Sequence, residues 1–223
     1  MQMQITVSAA MTVDGKIATH QGDSAISSKE DLMRVHKLRA SVDGILVGIS
    51  TVLIDNPRLT VRLGRKQAKD KHPTRIIIDS VGRIPLDSQI LRTASKVKTI
   101  VAVTKLANMD TRRKIKKTGA TVIVAGTRTV NLKRVFLIAR KMGIRKILVE
   151  GGGEINWSLF SLGVVSELIV TIAPKIVGGR QATTLVEGGG YPSVSNGIKL
   201  QLKKVQMQNN GELVLYYKLP QKV

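Results

Sequence analysis

The chain has 223 residues, with 36 Lys and Arg against 15 Asp and Glu, for a formal net charge of +21. The absence of cysteine excludes disulfides, thiolate nucleophiles, zinc–cysteine sites and iron–sulfur clusters together. No apolar run reaches membrane-spanning length and the N-terminus lacks the basic and apolar regions of a signal peptide, so the expectation is a soluble cytoplasmic protein, folded as one domain over 1–223.

The excess charge has two readings. Nucleic acid is one, because Lys and Arg that neutralise phosphates supply most non-specific affinity. Aromatics for base stacking are scarce, however, with Trp157, three Tyr and two Phe, and the cations are scattered over helix faces and loops. A basic surface suited to small anions is the better reading, and nucleic acid is not expected as a partner.

Gln4 to Ala10 is β-branched and alternating, a first strand, and Asp14-Gly15 is a turn signal after it. Ser27 with Glu30 fits a capping box, and Leu32, Val35 and Leu38 continue at helical spacing. His36 on that helix has no second ligand in reach, so a structural or surface role is expected rather than a metal site. Asp43 to Gly48 is a buried strand ending in glycine, followed by a short helix from Ile49 that must stop before Pro57. From Arg58 the chain is polar and basic, with Arg62, Arg65, Lys66, Lys69 and Lys71, and shows no apolar period, which predicts a loop.

Strands are predicted at Thr74–Ile78, Thr99–Val103, Thr121–Val124 and Lys146–Val149, with helices at Met109–Thr118, at Leu132–Met142 closed by Gly143, and after Gly153. This alternation predicts a mostly parallel sheet flanked by helices. Beyond Gly163 the pattern changes to a strand at Leu168–Ala173, an irregular stretch from Pro174 to Pro192, and two β runs around Asn209-Asn210-Gly211. Asn-Gly between β runs predicts an antiparallel hairpin. The five residues Val149 to Gly153 recur as Val186 to Gly190, but only the first copy has a strand before it and a helix after it. The second copy reads as a loop.

Catalytic signatures are mostly missing. No nucleophile elbow, no P-loop and no His/Asp/Glu group with ligand spacing is present, so no metal is expected. The strand ends are the informative places: Gly48 with Thr51, Asp79-Ser80, Thr104-Lys105, and Glu150 with Gly151 to Gly153. Ligands of open parallel sheets lie outside such ends, and a glycine turn leading into a helix suits a phosphate-bearing ligand, although a generic tight turn would look the same.

Several blocks taken in order resemble a known family: Met11 to Ala18, Gly22 to Ser24, His36 to Arg39, Val42 to Gly48, Thr51 to Arg62, Ile78 to Ser80, Leu148 to Gly153 and Ile172 to Gly179 are similar to the pyrimidine reductases of riboflavin biosynthesis. The resemblance implies an α/β, dihydrofolate-reductase-like fold with a mostly parallel central sheet, NADPH as cofactor with NADH as the alternative, and a homodimer. It implies reduction of 2,5-diamino-6-ribosylamino-4(3H)-pyrimidinone 5′-phosphate to its ribitylamino form, with hydride delivered to C1′ of the opened sugar. The lack of cysteine and of room for a fused zinc deaminase points to the stand-alone archaeal type, which reduces before deamination. The alternatives are the deaminated pyrimidine, another pteridine or pyrimidine, or, behind these, a basic nucleic-acid-binding protein on the same fold.

By the same resemblance, Thr51, Asp55, Asp79, Ser80, Val81, Gly82, Val130, Gly152, Gly153, Glu154 and Ile155 fall at cofactor positions. Ser24, Arg39, Leu59, Arg62 and Glu150 fall at substrate positions. No catalytic residue is assigned, since none is an evident proton donor. Ser80, Arg83 and Lys105 are candidates for a 2′-phosphate, and the Gly151–Gly152 peptide is a candidate for the cis form.

Overall fold

A computed structural model describes residues 3–64 and 72–220, so Arg65, Lys66, Lys69 and Lys71 of the expected basic loop lie outside the described residues. The elements in chain order are β1 (Gln4–Thr12), α1 (Lys29–Ala40), β2 (Gly44–Gly48), α2 (Ile49–Asp55), β3 (Thr74–Ile78), α3 (Gln89–Arg92), β4 (Thr99–Val103), α4 (Met109–Lys117), β5 (Thr121–Val124), α5 (Leu132–Lys141), β6 (Lys146–Val149), α6 (Gly153–Ser161), β7 (Glu167–Ala173), β8 (Gln201–Met207) and β9 (Leu213–Lys218). Among the described residues no helix is long and apolar enough to cross a membrane. The chain divides into two compact units, one built mainly of residues 36–148 and the other of residues 4–35 and 149–223.

In the first unit the strand order is β5-β4-β3-β2-β6. The pairs β2–β3, β3–β4 and β4–β5 are parallel. β2, β3 and β4 are buried at every position. Parallel strands covered on both faces read as unbroken apolar runs, which is why Gly-Ile-Leu-Val-Gly and Thr-Ile-Val-Ala-Val show no alternation. One core cluster joins Ile45, Val47, Ile77, Val101 and Val103 of the strands to Val52 of α2, Ile90 and Leu91 of α3 and Ile115 of α4.

Two local expectations needed correction in this unit. The stretch after Arg58 buries Leu59 and Val61, which belong to the core rather than to a polar excursion. Two apolar residues in a segment without repeating dihedrals produce no period, so only the tertiary fold reveals them. The four-residue helix α3 was also unexpected; Ser88 caps it by accepting from the Leu91 N–H at 3.4 Å. The α2 helix ends as anticipated, at Asn56 in the left-handed region just before Pro57.

In the second unit the order is β1-β7-β9-β8, with β1 parallel to β7 and the β8–β9 hairpin antiparallel. The turn at Asn210-Gly211 has Gly211 at φ 83°. The buried Glu212 beside it accepts from the Ser28 N–H at 2.9 Å and the Ser28 hydroxyl at 2.6 Å. This tie shifts the cap of α1 by one residue: Ser28, not Ser27, accepts from the Asp31 N–H at 3.1 Å. Ser27 instead donates to Asp31, whose buried carboxylate also takes Arg34 at 2.8 Å and the Thr171 hydroxyl at 2.6 Å. A buried charge is tolerable when it is paired and hydrogen-bonded in this way.

The Asp14 carboxylate fastens the first turn to the glycine-rich stretch after β7, accepting from the Thr12 hydroxyl at 2.6 Å, the Gly178 N–H at 2.7 Å and the Val177 N–H at 3.2 Å. The Thr12 bond and the two amides pull its pKa from 3.8 to about 2. Because the folded value is the lower one, the tie is fully present above pH 3.8 and is lost as pH falls through about 2. The Gly178 amide resonance is expected to titrate with a midpoint near pH 2; a midpoint at 3.8 would mean that the tie does not form.

Candidate functional site

The first unit carries Arg39 and Arg62, two of the expected substrate positions. Arg39, in the last turn of α1, donates to the Thr60 carbonyl at 3.1 Å, which anchors it beside the segment bearing Arg62. The Arg62 N–H lies 3.2 Å from His36 Nδ1, and Arg62 Nε lies 3.4 Å from His36 Nε2. A neutral imidazole has one acceptor nitrogen, so these two contacts alternate, and His36 faces the backbone and the side chain of Arg62 together. The buried His36 is therefore a positioning residue for Arg62, in keeping with the structural role anticipated for it.

Burial, then the neighbouring charges of Arg39 and Arg58, push the Arg62 pKa down. Arg39 and Arg58 thus set two further positive charges near Arg62, and a guanidinium fork is of the geometry that matches a phosphate. Leu59 sits among them at φ 48°, a left-handed conformation that its core packing sustains. Its side chain is buried, so only its backbone is left to meet a ligand.

Thr51 is half-buried in α2 and Asp55 is exposed at the helix's last position. The start of α2 at Gly48 has no side-chain cap. Asp79 is fully buried, and its two carboxylate oxygens accept from the Gly82 N–H at 3.1 Å and the Ile84 N–H at 2.9 Å. It builds the loop after β3 that presents Ser80 and Val81. The Ser80 carbonyl accepts from the Thr104 N–H at 3.0 Å and hydroxyl at 2.8 Å, which joins the ends of β3 and β4.

Arg83 and Lys105 are exposed near these ends, and Val130 is half-buried ahead of α5. Sequence reasoning missed Arg112. It donates to the Thr104 and Lys105 carbonyls at 3.1 and 3.0 Å, while its Nε is buried without a partner among the described residues. In a helix with five basic residues among nine, nothing singled it out.

In the second unit, Gly151–Gly152 is a cis peptide, as the resemblance implied. Gly152 caps α6 through its backbone alone, with φ −80° and ψ −166°, and Gly153 to Ile155 form the first turn. Gly153 is demanded by close packing: a Cβ there would lie 2.6 Å from Glu187 Cγ and 2.7 Å from the Thr184 carbonyl oxygen. The second Val-Glu-Gly-Gly-Gly copy is a loop, as expected, but it is not idle. The Glu187 N–H donates to the Gly153 carbonyl at 3.2 Å, and a Cβ on Gly188 would run into the Trp157 ring. Asn156 Nδ2 donates to the Leu185 carbonyl at 2.8 Å, and Tyr191 packs edge-on to Trp157 at 5.1 Å between centroids. Ser24 is exposed and Glu150 half-buried.

Each unit thus carries a helix start without a side-chain cap, at Gly48 in the first and at Gly152 in the second, and backbone amides at such starts are of the kind that meets phosphates.

The RibD C-terminal domain matches residues 3–215. The 2,5-diamino-6-ribosylamino-4(3H)-pyrimidinone 5′-phosphate reductase of Methanothermobacter thermautotrophicus is 43% identical over 216 residues, covering 97% of this chain and 98% of its own. Among solved structures, a pyrimidine reductase-like protein of Corynebacterium diphtheriae superposes with a TM-score of 0.83 at 22% identity, over 99% of this chain and 93% of that one. RibD of Acinetobacter baumannii also superposes with a TM-score of 0.83, at 20% identity, and the chain spans 58% of its length. These superpositions establish the dihydrofolate-reductase-like α/β fold, with its mostly parallel sheet and C-terminal antiparallel hairpin.

Proposed function

The chain belongs to the RibD C-terminal domain family, and from that membership we propose that it reduces 2,5-diamino-6-ribosylamino-4(3H)-pyrimidinone 5′-phosphate to the ribitylamino compound in riboflavin biosynthesis. The observation that carries the reading is near-full-length similarity, at 43% identity, to a protein bearing that name. It is an oxidoreductase, and NADPH is its cofactor in this reading; residues 1–223 serve as one reductase domain, supported by the unbroken family match over 3–215.

Reduced nicotinamide, when bound, supplies the hydride for C1′ of the opened sugar. The chain's own residues position and bind. Arg39 and Arg62 hold the 5′-phosphate, with His36 and the Thr60 carbonyl fixing their approach. Ser24, the Leu59 backbone and Glu150 complete the substrate contacts. Thr51, Asp55, the loop from Asp79 to Gly82, Val130 and the turn from Gly152 to Ile155 hold the cofactor, with backbone amides meeting its phosphates. No nucleophile is required, because holding donor and acceptor in near-attack contact supplies much of the rate.

Mixing the protein with NADPH and the ribosylaminopyrimidinone phosphate is expected to consume the nicotinamide absorbance. No consumption with either the aminated or the deaminated substrate would refute the reading.

The partner is a second copy of the chain. The support is the outer strand of the hairpin, β8, which exposes Leu202, Val205 and Met207 by 50%, 51% and 77% on an edge of backbone donors and acceptors. A dimer mass is expected from light scattering, and Val205→Lys is expected to give a monomer; an unchanged dimer would remove β8 from the interface.

A further inference from the structure

A cleft of about 760 Å³ in the first unit has Arg58, His72, Arg92 and Lys96 in its wall, with Gln89 and Thr93 among the neutral donors. No carboxylate lines it among the described residues. Gln89 is pinned by Asn56, its N–H to Asn56 Oδ1 at 2.8 Å and its Nε2 to the Asn56 carbonyl at 2.7 Å, and in turn takes Arg58 Nε at 2.7 Å. The arginine is thus oriented by neutral groups rather than neutralised.

Behind this wall lies Arg75, with 0% exposure. Its five N–H donors all go to neutral acceptors. Nε meets Thr99 Oγ1 at 3.0 Å; one amino group meets Thr93 Oγ1 at 2.8 Å and the Arg58 carbonyl at 3.4 Å; the other meets Thr99 Oγ1 at 2.7 Å and the Val97 carbonyl at 3.0 Å. Arg58, Thr93 and Val97 are themselves wall residues, so the buried charge lies directly against the cleft. Burial lowers the Arg75 pKa to about 10, which still leaves it charged at neutral pH. A buried cation without a counter-ion is expensive, and a concave wall of low dielectric focuses its field with those of Arg58, Arg92 and Lys96.

We propose that this cleft binds a small polyanion carrying two phosphate groups, at a site that adjoins the one holding the substrate's 5′-phosphate and has Arg58 and Thr60 in common with it. Arg39, Arg62 and His36 are not in its wall. A monophosphate leaves most of the charge unmatched, and the volume falls in the range of small-molecule sites, far above the needs of one phosphate group. The anion supplies the counter-charge that Arg75 lacks among the described residues.

The test is titration calorimetry with inorganic pyrophosphate, at fixed ionic strength and without substrate or cofactor. Wild type is expected to bind pyrophosphate at least about tenfold more tightly than inorganic phosphate, and Arg92→Gln/Lys96→Gln to bind it at least about tenfold more weakly than wild type, since each removes a charge-assisted contact. Arg92→Lys/Lys96→Arg, which keeps both charges, is expected to retain binding within about threefold. Turnover of the pyrimidine by the double Gln variant stays within about twofold of wild type. Equal binding by the double Gln variant, or no heat with wild type, would overturn the site. Equal affinity for phosphate and pyrophosphate would overturn the two-phosphate assignment, and turnover falling in step with binding would make the cleft part of the substrate site. A protein that proves inert as a reductase but loses pyrophosphate in the variant would leave this proposal standing, so the two failures are distinguishable.

Discussion

Arg62→Gln is expected to lower kcat/KM for the phosphorylated pyrimidine by roughly 100-fold, with most of the loss in KM. The magnitude follows from the bonds removed: a fork onto a phosphate makes two charge-assisted hydrogen bonds at about 1.5–3 kcal/mol each, and about 1.4 kcal/mol is tenfold. Repulsion from Arg39 and Arg58 is relieved in the free variant, which holds the estimate at its lower end. Arg62→Lys keeps the charge and loses the fork, so a fall of about tenfold is expected.

His36→Ala tests the support separately. Removing the acceptor for the Arg62 N–H is expected to raise KM several-fold while leaving kcat near wild type, because the phosphate lies away from the reacting carbon. Steady-state kinetics with and without the 5′-phosphate on the substrate separates these contributions. If Arg62→Gln stays within threefold of wild type, the phosphate is held elsewhere, whatever the activity of the protein.

Gly153→Ala is expected to cost both stability and cofactor affinity. The added carbon would sit 2.6 Å from Glu187 Cγ and 2.7 Å from the Thr184 carbonyl oxygen, and a backbone oxygen at that distance has to move. Overpacking of this kind costs about 1–3 kcal/mol. For a chain of this size that lowers Tm by about 2–4 °C for each kcal/mol. The Glu187 N–H to Gly153 carbonyl bond would be displaced along with the first turn of α6, and the turn's backbone amides with it. A rise of about tenfold in the cofactor's Kd is expected, because donors meant for a phosphate lose reach when shifted by a few tenths of an ångström. Gly189→Ala, in the second glycine run, meets nothing within 4 Å and needs no positive φ, so it serves as the neutral control. Equal melting temperatures and equal cofactor titrations for the two variants would contradict the packing account.

The amino-acid sequence by itself determined the order and type of nearly all the elements. Buried parallel strands announce themselves as short apolar runs, α5 by its period and its glycine stop at Gly143, and the hairpin by Asn210-Gly211, because each signal is local and lies within one element. It also determined the family, through blocks whose residue types hold over most of the chain. The glycine stretch at Gly151 to Gly153 was legible as a strand–turn–helix stretch for the same reason.

Only the tertiary structure decided how these pieces use one another. The two Val-Glu-Gly-Gly-Gly copies read as unrelated, and folding lays one against the other because Gly153 and Gly188 leave room for Glu187 and Trp157. The cap of α1 moved from Ser27 to Ser28 because Glu212, 184 residues away, claims the Ser28 hydroxyl. Arg75, one basic residue among 36, became a buried charge because β3 is covered at every position, its second included. Partners distant in the chain leave no periodic or neighbouring trace, so their energies are set by the fold and cannot be read before it.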